Sequence, residues 1–200
     1  LADLVSIDSQ VAMRSAFAFT EVAPGEAFEV GPFRIKTEPM AHLGLPALGF
    51  RVAADGQVLA YTGDTGPTHH VEELARNADL LLAEATWQDR DDLLPFHLSS
   101  RQAADHAREA GVGKLVLTHI WPSLDHEISK DQAAEEYAGP IESAAEGMRF
   151  ELHERRAGRG GGRLACRHRE HCRRYRTPDP PCARPPRAGK SRCDPRVRSR

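Results

Sequence analysis

Two hundred residues suffice for one core-forming domain or two small ones, and no stretch approaches the roughly eighteen consecutive apolar residues of a membrane span. Nothing at the start has the basic, apolar, small-residue order of a signal peptide, so the chain reads as soluble and cytoplasmic, with no membrane partner. The net charge of -2 averages two unlike pieces: residues 1–156 carry 13 Lys plus Arg against 26 Asp plus Glu, a net of -13, and residues 157–200 carry 14 against 3, a net of +11.

The basic piece also holds all four cysteines, Cys166, Cys172, Cys182 and Cys193, with six prolines. It has almost no apolar periodicity, so it buries too little surface to offset the entropy of ordering, and a disordered Arg/Pro-rich tail is expected over 157–200. The dominance of Arg, Pro, Ala, Gly and Cys also suits a GC-rich coding region read out of frame. An RNA-binding arm, or a zinc site built from Cys166, His168, His171 and Cys172, comes behind both readings. The acidic piece has no cysteine, as a reducing compartment would permit.

In chain order, Phe28 to Glu38 (FEVGPFRIKTE) alternates apolar and polar residues like a half-buried strand, and LGFRV, Leu48 to Val52, is another. ADGQ, Ala54 to Gln57, is a hairpin signal leading into VLAY, Val58 to Tyr61, after which YTGDTGP places Asp64 between two glycines at a strand's end. Thr68 caps a helix running to about Asn77, and DLLLAEA, Asp79 to Ala85, is a buried strand. SSRQAADHAREAG is the clearest helix, with a capping box of Ser99 and Gln102 and a stop at Gly111. KLVLTH, Lys114 to His119, is a strand ending in histidine; Ile128 to Tyr137 is a helix, and MRFELHE, Met148 to Glu154, a last strand. The alternation argues for helices packed on a sheet, an α/β (α+β) fold.

Three of these strand ends carry ligand-type side chains: His42, Asp64 and His119. Imidazole and carboxylate gathered where loops meet one sheet edge are what a borderline divalent metal such as zinc needs. Glu84 in LLAEATW is an ionisable group on an apolar strand, costly to bury unless paired. His97 in PFHLSS is the candidate partner, since a carboxylate on one imidazole nitrogen fixes the tautomer and prepares the ring as a general acid. His69, His70 and His106 read as solvated helix residues, and Asp89, Asp91 and Asp92 as a solvated loop. Trp87 and Trp121, each following a site motif, read as edge packing ahead of walls for a ring.

Asp64 in GDTGP, Glu84 in EAT, His97 with Ser99 in HLSSRQAA, and His119 in LTHI follow, in order and spacing, the C-terminal half of metallo-β-lactamase-fold phosphodiesterases that include ribonuclease Z. The chain resembles that family from about Phe28 to Glu154, which makes residues 1–156 the C-terminal portion of such a domain. The resemblance implies part of an αββα sandwich with two divalent ions, zinc ahead of manganese, at one edge. His42 would bind the first ion, Asp64 would bridge both and His119 would bind the second. His97, steadied by Glu84, would contact the scissile phosphate and protonate the leaving oxygen, with Ser99 binding substrate and the ions activating the attacking water.

Two departures shape the expectation. The family's HxHxDH string does not occur in this sequence, so Leu1 is expected not to be the natural start and the chain as written is expected to have little metal affinity or activity. The segment between LGFRV and the GDT aspartate is too short for the tRNA-holding arm of ribonuclease Z, and Ala83 stands where the tRNA-processing HEAT motif has histidine. Both favour a small phosphodiester, a cyclic nucleotide ahead of RNA. The alternatives are a tRNA 3′-processing endoribonuclease and a non-catalytic, RNA-binding pseudoenzyme; whether the protein forms a homodimer is left open.

Overall fold

The computed structural model describes residues 13, 15–88 and 95–152. The tail from 157, its Cys and His residues, His153, and Asp89, Asp91 and Asp92 lie outside that set. Seven strands form one sheet whose spatial order is the chain order: β1 (Ala27–Val30), β2 (Phe33–His42), β3 (Leu45–Ala54), β4 (Gln57–Tyr61), β5 (Leu80–Glu84), β6 (Leu115–Thr118) and β7 (Ile141–Ser143). Among the described residues three helices are interspersed: α1 (His70–Ala75), α2 (Ser100–Glu109) and α3 (His126–Glu136). No helix among them is long and apolar enough to cross a membrane.

The first four strands are a meander, each antiparallel to the next, whereas β4, β5, β6 and β7 run parallel. The change follows from the connections. Gly31 with Pro32, Leu43 with Gly44, and Asp55 with Gly56 make two-residue turns, each with a residue at positive φ, and such turns can only reverse a strand. Beyond β4 the links are long enough to hold a helix, which lets the chain cross back and run parallel. β2 is antiparallel to β3 and β3 to β4, so β2 runs the same way as β4. The C-terminal ends of β2, β4, β5 and β6 therefore share one edge of the sheet.

The core lies between sheet and helices. α1 packs on β2, β3 and β4, α2 on β5 and β6, and α3 on α2 and β7. Leu74 and Val71 of α1, Leu81 of β5, Leu115 and Leu117 of β6, and Ala103, Ala104 and Ala107 of α2 are fully buried. The alanine face of α2 lets that helix sit close to the sheet. At its start Ser99 accepts from the Gln102 amide while the Gln102 side chain accepts from the Ser99 amide, so two otherwise orphaned N–H groups are satisfied. Gly111, at φ +67°, ends it.

Several expectations are corrected. Phe28–Glu38 is two strands rather than one, because Gly31 takes φ +56° and Pro32 has no N–H to offer a ladder. The helix after Thr68 begins later and ends earlier; the Thr68 hydroxyl accepts from the His70 amide at 3.4 Å, and Asn77 has already left the helix at φ +52°. The final strand is Ile141–Ser143, parallel to β6, while 148–152 forms none, the chain having turned at Gly147 (φ +78°). His106 is buried rather than solvated, with Nδ1 2.8 Å from Glu72 Oε1.

Candidate active site

His42 is the last residue of β2, Glu84 the last of β5, and His119 follows the end of β6. Asp64 lies three residues past the end of β4, and His97 precedes the cap of α2. The shared edge thus collects side chains from four parallel strand ends, the place where sheets of this kind bind ligands.

The Asp64 loop is anchored on both sides of the aspartate. Thr62 and Thr65 are fully buried, while the Asp64 side chain is 44% exposed. Thr62 Oγ1 accepts from the Glu84 amide at 3.1 Å, and the Thr65 amide donates to Glu84 Oε1 at 2.5 Å. The Ala41 amide donates to Thr65 Oγ1 at 3.1 Å and the Gly66 amide to the Ala41 carbonyl at 2.7 Å, tying the loop to the end of β2. Gly66 is required by contact, since a Cβ there would lie 1.9 Å from the Pro95 carbonyl oxygen. Gly63 is required by conformation, at φ +62°. The two glycines let the loop lie against its neighbours while the aspartate side chain stays outside.

Glu84 is 1% exposed and accepts from four donors, as many as two carboxylate oxygens have lone pairs, with His97 Nδ1 also 3.2 Å from Oε2. Oε1 takes the Thr65 amide and His97 Nδ1 (2.9 Å), and Oε2 takes the Thr86 hydroxyl (2.8 Å) and the Leu98 amide (3.1 Å). An ionised carboxylate only accepts, so Nδ1 of His97 carries its proton and Nε2 is the nitrogen left for other work.

The same bookkeeping assigns the other two rings. His42 Nδ1 lies 3.1 Å from the Phe96 carbonyl oxygen, which also only accepts, so Nδ1 is the donor. His119 Nδ1 lies 2.7 Å from Thr86 Oγ1. Were the hydroxyl proton turned toward His119, lone pairs of Thr86 and of the carboxylate would face each other at 2.8 Å. The proton therefore goes to Glu84, and His119 donates to Thr86. All three histidines are held through Nδ1 and present Nε2, the arrangement that outer partners impose on metal-binding or proton-transferring imidazoles.

The rings cluster, with His42 and His97 centroids 5.0 Å apart and His97 and His119 centroids 5.4 Å apart. His119 Nδ1 is 3.8 Å from Asp64 Oδ1. Glu84, His97 and His119 bring ligand-type atoms within 4.8 Å of one another, as a metal trio does, but with its lone pairs taken Glu84 has none to give an ion. His42, Asp64 and His119 do not gather into a trio of that spacing among the described residues. Donor chemistry nonetheless suits a divalent ion at this edge: imidazoles held at Nδ1, which leaves Nε2 as the nitrogen for a ligand, beside a half-exposed carboxylate. Ser99 is 6% exposed and its oxygen serves the helix cap, which leaves its O–H as the available donor.

Sequence reasoning missed Thr62, Thr65 and Thr86, the three buried threonines that organise this edge. Each lies within two residues of a charged site residue, Asp64 or Glu84, the one signal that could have singled them out. His119 itself adopts φ +54°, a left-handed conformation found mostly at turns and functional positions. A second trio, His69, His70 and Glu73, lies at the start of α1 with rings 4.1 Å apart, and His70 is shared between Glu38 and Glu73 at 3.7 and 3.4 Å.

The seven-stranded mixed sheet and its donor-lined edge define a protein of the metallo-β-lactamase kind. Residues 3–120 match the beta-lactamase superfamily domain, and the chain belongs to that family, with a ribonuclease Z-like character. It is 34% identical over 149 residues to Ribonuclease Z of Mycobacterium bovis (strain BCG / Pasteur 1173P2), covering 68% of this chain and 53% of that protein. It is 36% identical over 130 residues to the uncharacterized protein ML1173 of Mycobacterium leprae, covering 64% and 45%. Its fold is similar to the metallo-beta-lactamase fold protein YhfI from Bacillus subtilis, with a TM-score of 0.62 at 27% identity over 65% of this chain and 54% of that one. The chain spans about half the length of the curated relatives it matches.

Proposed function

We propose that this chain carries the proton-transfer half of a metal-dependent phosphodiester hydrolase whose substrate is a small phosphodiester, a cyclic nucleotide ahead of RNA. The observation that carries the reading is the Glu84–His97 pair at 2.9 Å, with the carboxylate buried and fully bonded. A lone structural glutamate needs no histidine, and a structural histidine needs no carboxylate with three further donors. Together they hold a ring whose Nε2 can carry a proton beside the other two histidines.

His42, Asp64 and His119 are the residues that would hold two divalent ions, zinc ahead of manganese, with the rest of the set supplied by the HxHxDH string that family members carry. When bound, such ions offset charge on the phosphoryl oxygens and lower the pKa of the attacking water. His97 keeps Nδ1 on Glu84 and hands a proton from Nε2 to the leaving oxygen. Ser99 donates its O–H to a non-bridging oxygen. The short Asp55–Gly56 turn, which joins β3 straight to β4, favours a small substrate, because no arm stands there to grip a tRNA. Ala83, buried in the core, removes a histidine from the HEAT position and points the same way.

The likeness to ribonuclease Z supports a second reading, tRNA 3′ processing. A precursor tRNA assay separates the two: cleavage at the 3′ end of the acceptor stem supports the second and its absence the first. The first is tested with the chain complemented by a polypeptide supplying an HxHxDH half. Metal-dependent hydrolysis of bis(p-nitrophenyl) phosphate is expected, and His97→Ala should cost about 10²- to 10⁴-fold in rate while leaving zinc bound. An unchanged rate in that variant would remove the general-acid role.

A further inference from the structure

Trp87 and Trp121 are the two tryptophans of the sequence, and the fold stacks them on each other with centroids 5.5 Å apart and planes 27° apart. Trp87 is the inner member. Its amide donates to the Leu98 carbonyl at 3.1 Å and its ring stands edge-on to His97 at 6.2 Å. Trp121 is the outer member, two residues past His119, with its amide on the Thr86 carbonyl at 3.3 Å. It is 51% exposed, and with His119, Ile120, Pro122 and Ser123 it lines a hollow of about 440 Å³.

Edge packing, the bland expectation for these residues, would cover the outer ring. Here one face of Trp121 is occupied by Trp87 while about half of the residue stays in water. A large aromatic left exposed and held flat from behind has lost the freedom that a binding partner would otherwise have to remove. Every nucleobase offers a complementary π-face, and stacking needs no hydrogen-bond match. The hollow is within the size range of small-ligand sites, and His119 belongs both to its wall and to the donor-lined edge.

We infer that Trp121, backed by Trp87, is a base-stacking wall: the phosphodiester taken at this edge is a nucleotide whose base lies on Trp121 while its phosphate meets His97 at the donor-lined edge. This rests on the phosphodiesterase reading and narrows it, favouring substrates with a nucleobase over alkyl phosphodiesters. Purines, with the larger face, stack better than pyrimidines.

Because the chain has only these two tryptophans, fluorescence excited selectively at tryptophan, beyond the absorption of its three tyrosines, reports on the stack alone. The test titrates the full chain with adenosine, AMP and ribose 5-phosphate, then measures adenosine and AMP affinities of Trp121→Ala and Trp121→Phe by calorimetry. Circular dichroism checks that both variants fold. Saturable quenching by adenosine and AMP is expected, with none by ribose 5-phosphate. Trp121→Ala should weaken both ligands by about 5- to 100-fold, and Trp121→Phe should recover most of the loss. Absence of saturable binding by adenosine and AMP, or wild-type affinity in Trp121→Ala, overturns the inference. Adenosine has no phosphate, so its binding without any phosphodiester hydrolysis keeps the wall and sinks the reaction, and hydrolysis of bis(p-nitrophenyl) phosphate without adenosine binding does the reverse.

Discussion

The hydroxyl of Thr86 accepts the Nδ1–H of His119 at 2.7 Å and donates its own O–H to Glu84 at 2.8 Å. One buried side chain thereby fixes a ring at the end of β6 to a carboxylate at the end of β5. Replacing Thr86 by valine keeps the shape and removes both bonds. His119 then loses its fixed tautomer, which long-range ¹⁵N–¹H NMR reads directly in the metal-free protein, and zinc affinity measured by calorimetry should fall about 10- to 100-fold. A His119 tautomer unchanged in Thr86→Val would refute the relay.

Glu84 holds more of the structure than of the chemistry. Glu84→Ala leaves the Thr65 and Leu98 amides and the Thr86 hydroxyl without their acceptor inside the protein. The expected cost is about 3–5 kcal/mol, as for other broken buried ionic groups, read as a fall in denaturant midpoint. His97→Ala, at a side chain 14% exposed, should cost clearly less. Equal losses would show that the pair is chiefly a stability element.

Gly66 is confined by backbone on the other side of a contact. Gly66→Ala pushes a methyl group against the Pro95 carbonyl, 1.9 Å away in the unrelaxed geometry, and neither chain can yield by a rotamer change. Stability should drop by about 1–3 kcal/mol or more, with the Asp64 loop displaced from Ala41. Loss of protection of the amide at position 66 in hydrogen exchange would report that displacement.

The Glu72 carboxyl sits below the usual carboxylate range. Burial pushes it up, but the hydrogen bond and charge of His106, its own backbone amide and the nearby His69 outweigh that. A carboxylate depressed in the folded state stabilises it above the unfolded value, near 4.5, and the contribution is lost as the pH falls through the lower folded value. Glu72→Gln should therefore flatten the acid side of the stability profile. Urea midpoints at about pH 3, 4, 5 and 7, which span the range in which such a carboxyl titrates, test this; parallel profiles for the two proteins would contradict it.

Much of this was legible from the sequence because the signals were local. The capping box at Ser99, the Asp55–Gly56 turn and the apolar runs of β5 and β6 each state their structure within a few residues. Glu84 announced itself as a charge on an apolar strand, and His97 as the nearest imidazole able to pair with it. What stayed hidden depended on contacts far apart in the chain. His106 lies on a helix whose polar face meets Glu72 of α1, and no periodicity in α2 alone reveals that. Thr86 looks like any strand-end threonine until β6 brings His119 beside it. β7 was misplaced because a three-residue parallel strand has too few residues to alternate, whereas Met148 to Leu152 mimics alternation without pairing.

The strand order has a consequence for how the edge comes into being. Each strand pairs with those next to it in sequence, so a growing chain can add them one at a time, without waiting for a distant partner. His42, Asp64, Glu84 and His97 all precede His119 in the chain, and that last imidazole is brought to the edge by the pairing of β6 with β5. The hydrogen bond between His119 and Thr86 therefore depends on that pairing, and it joins the last-made part of the edge to the rest.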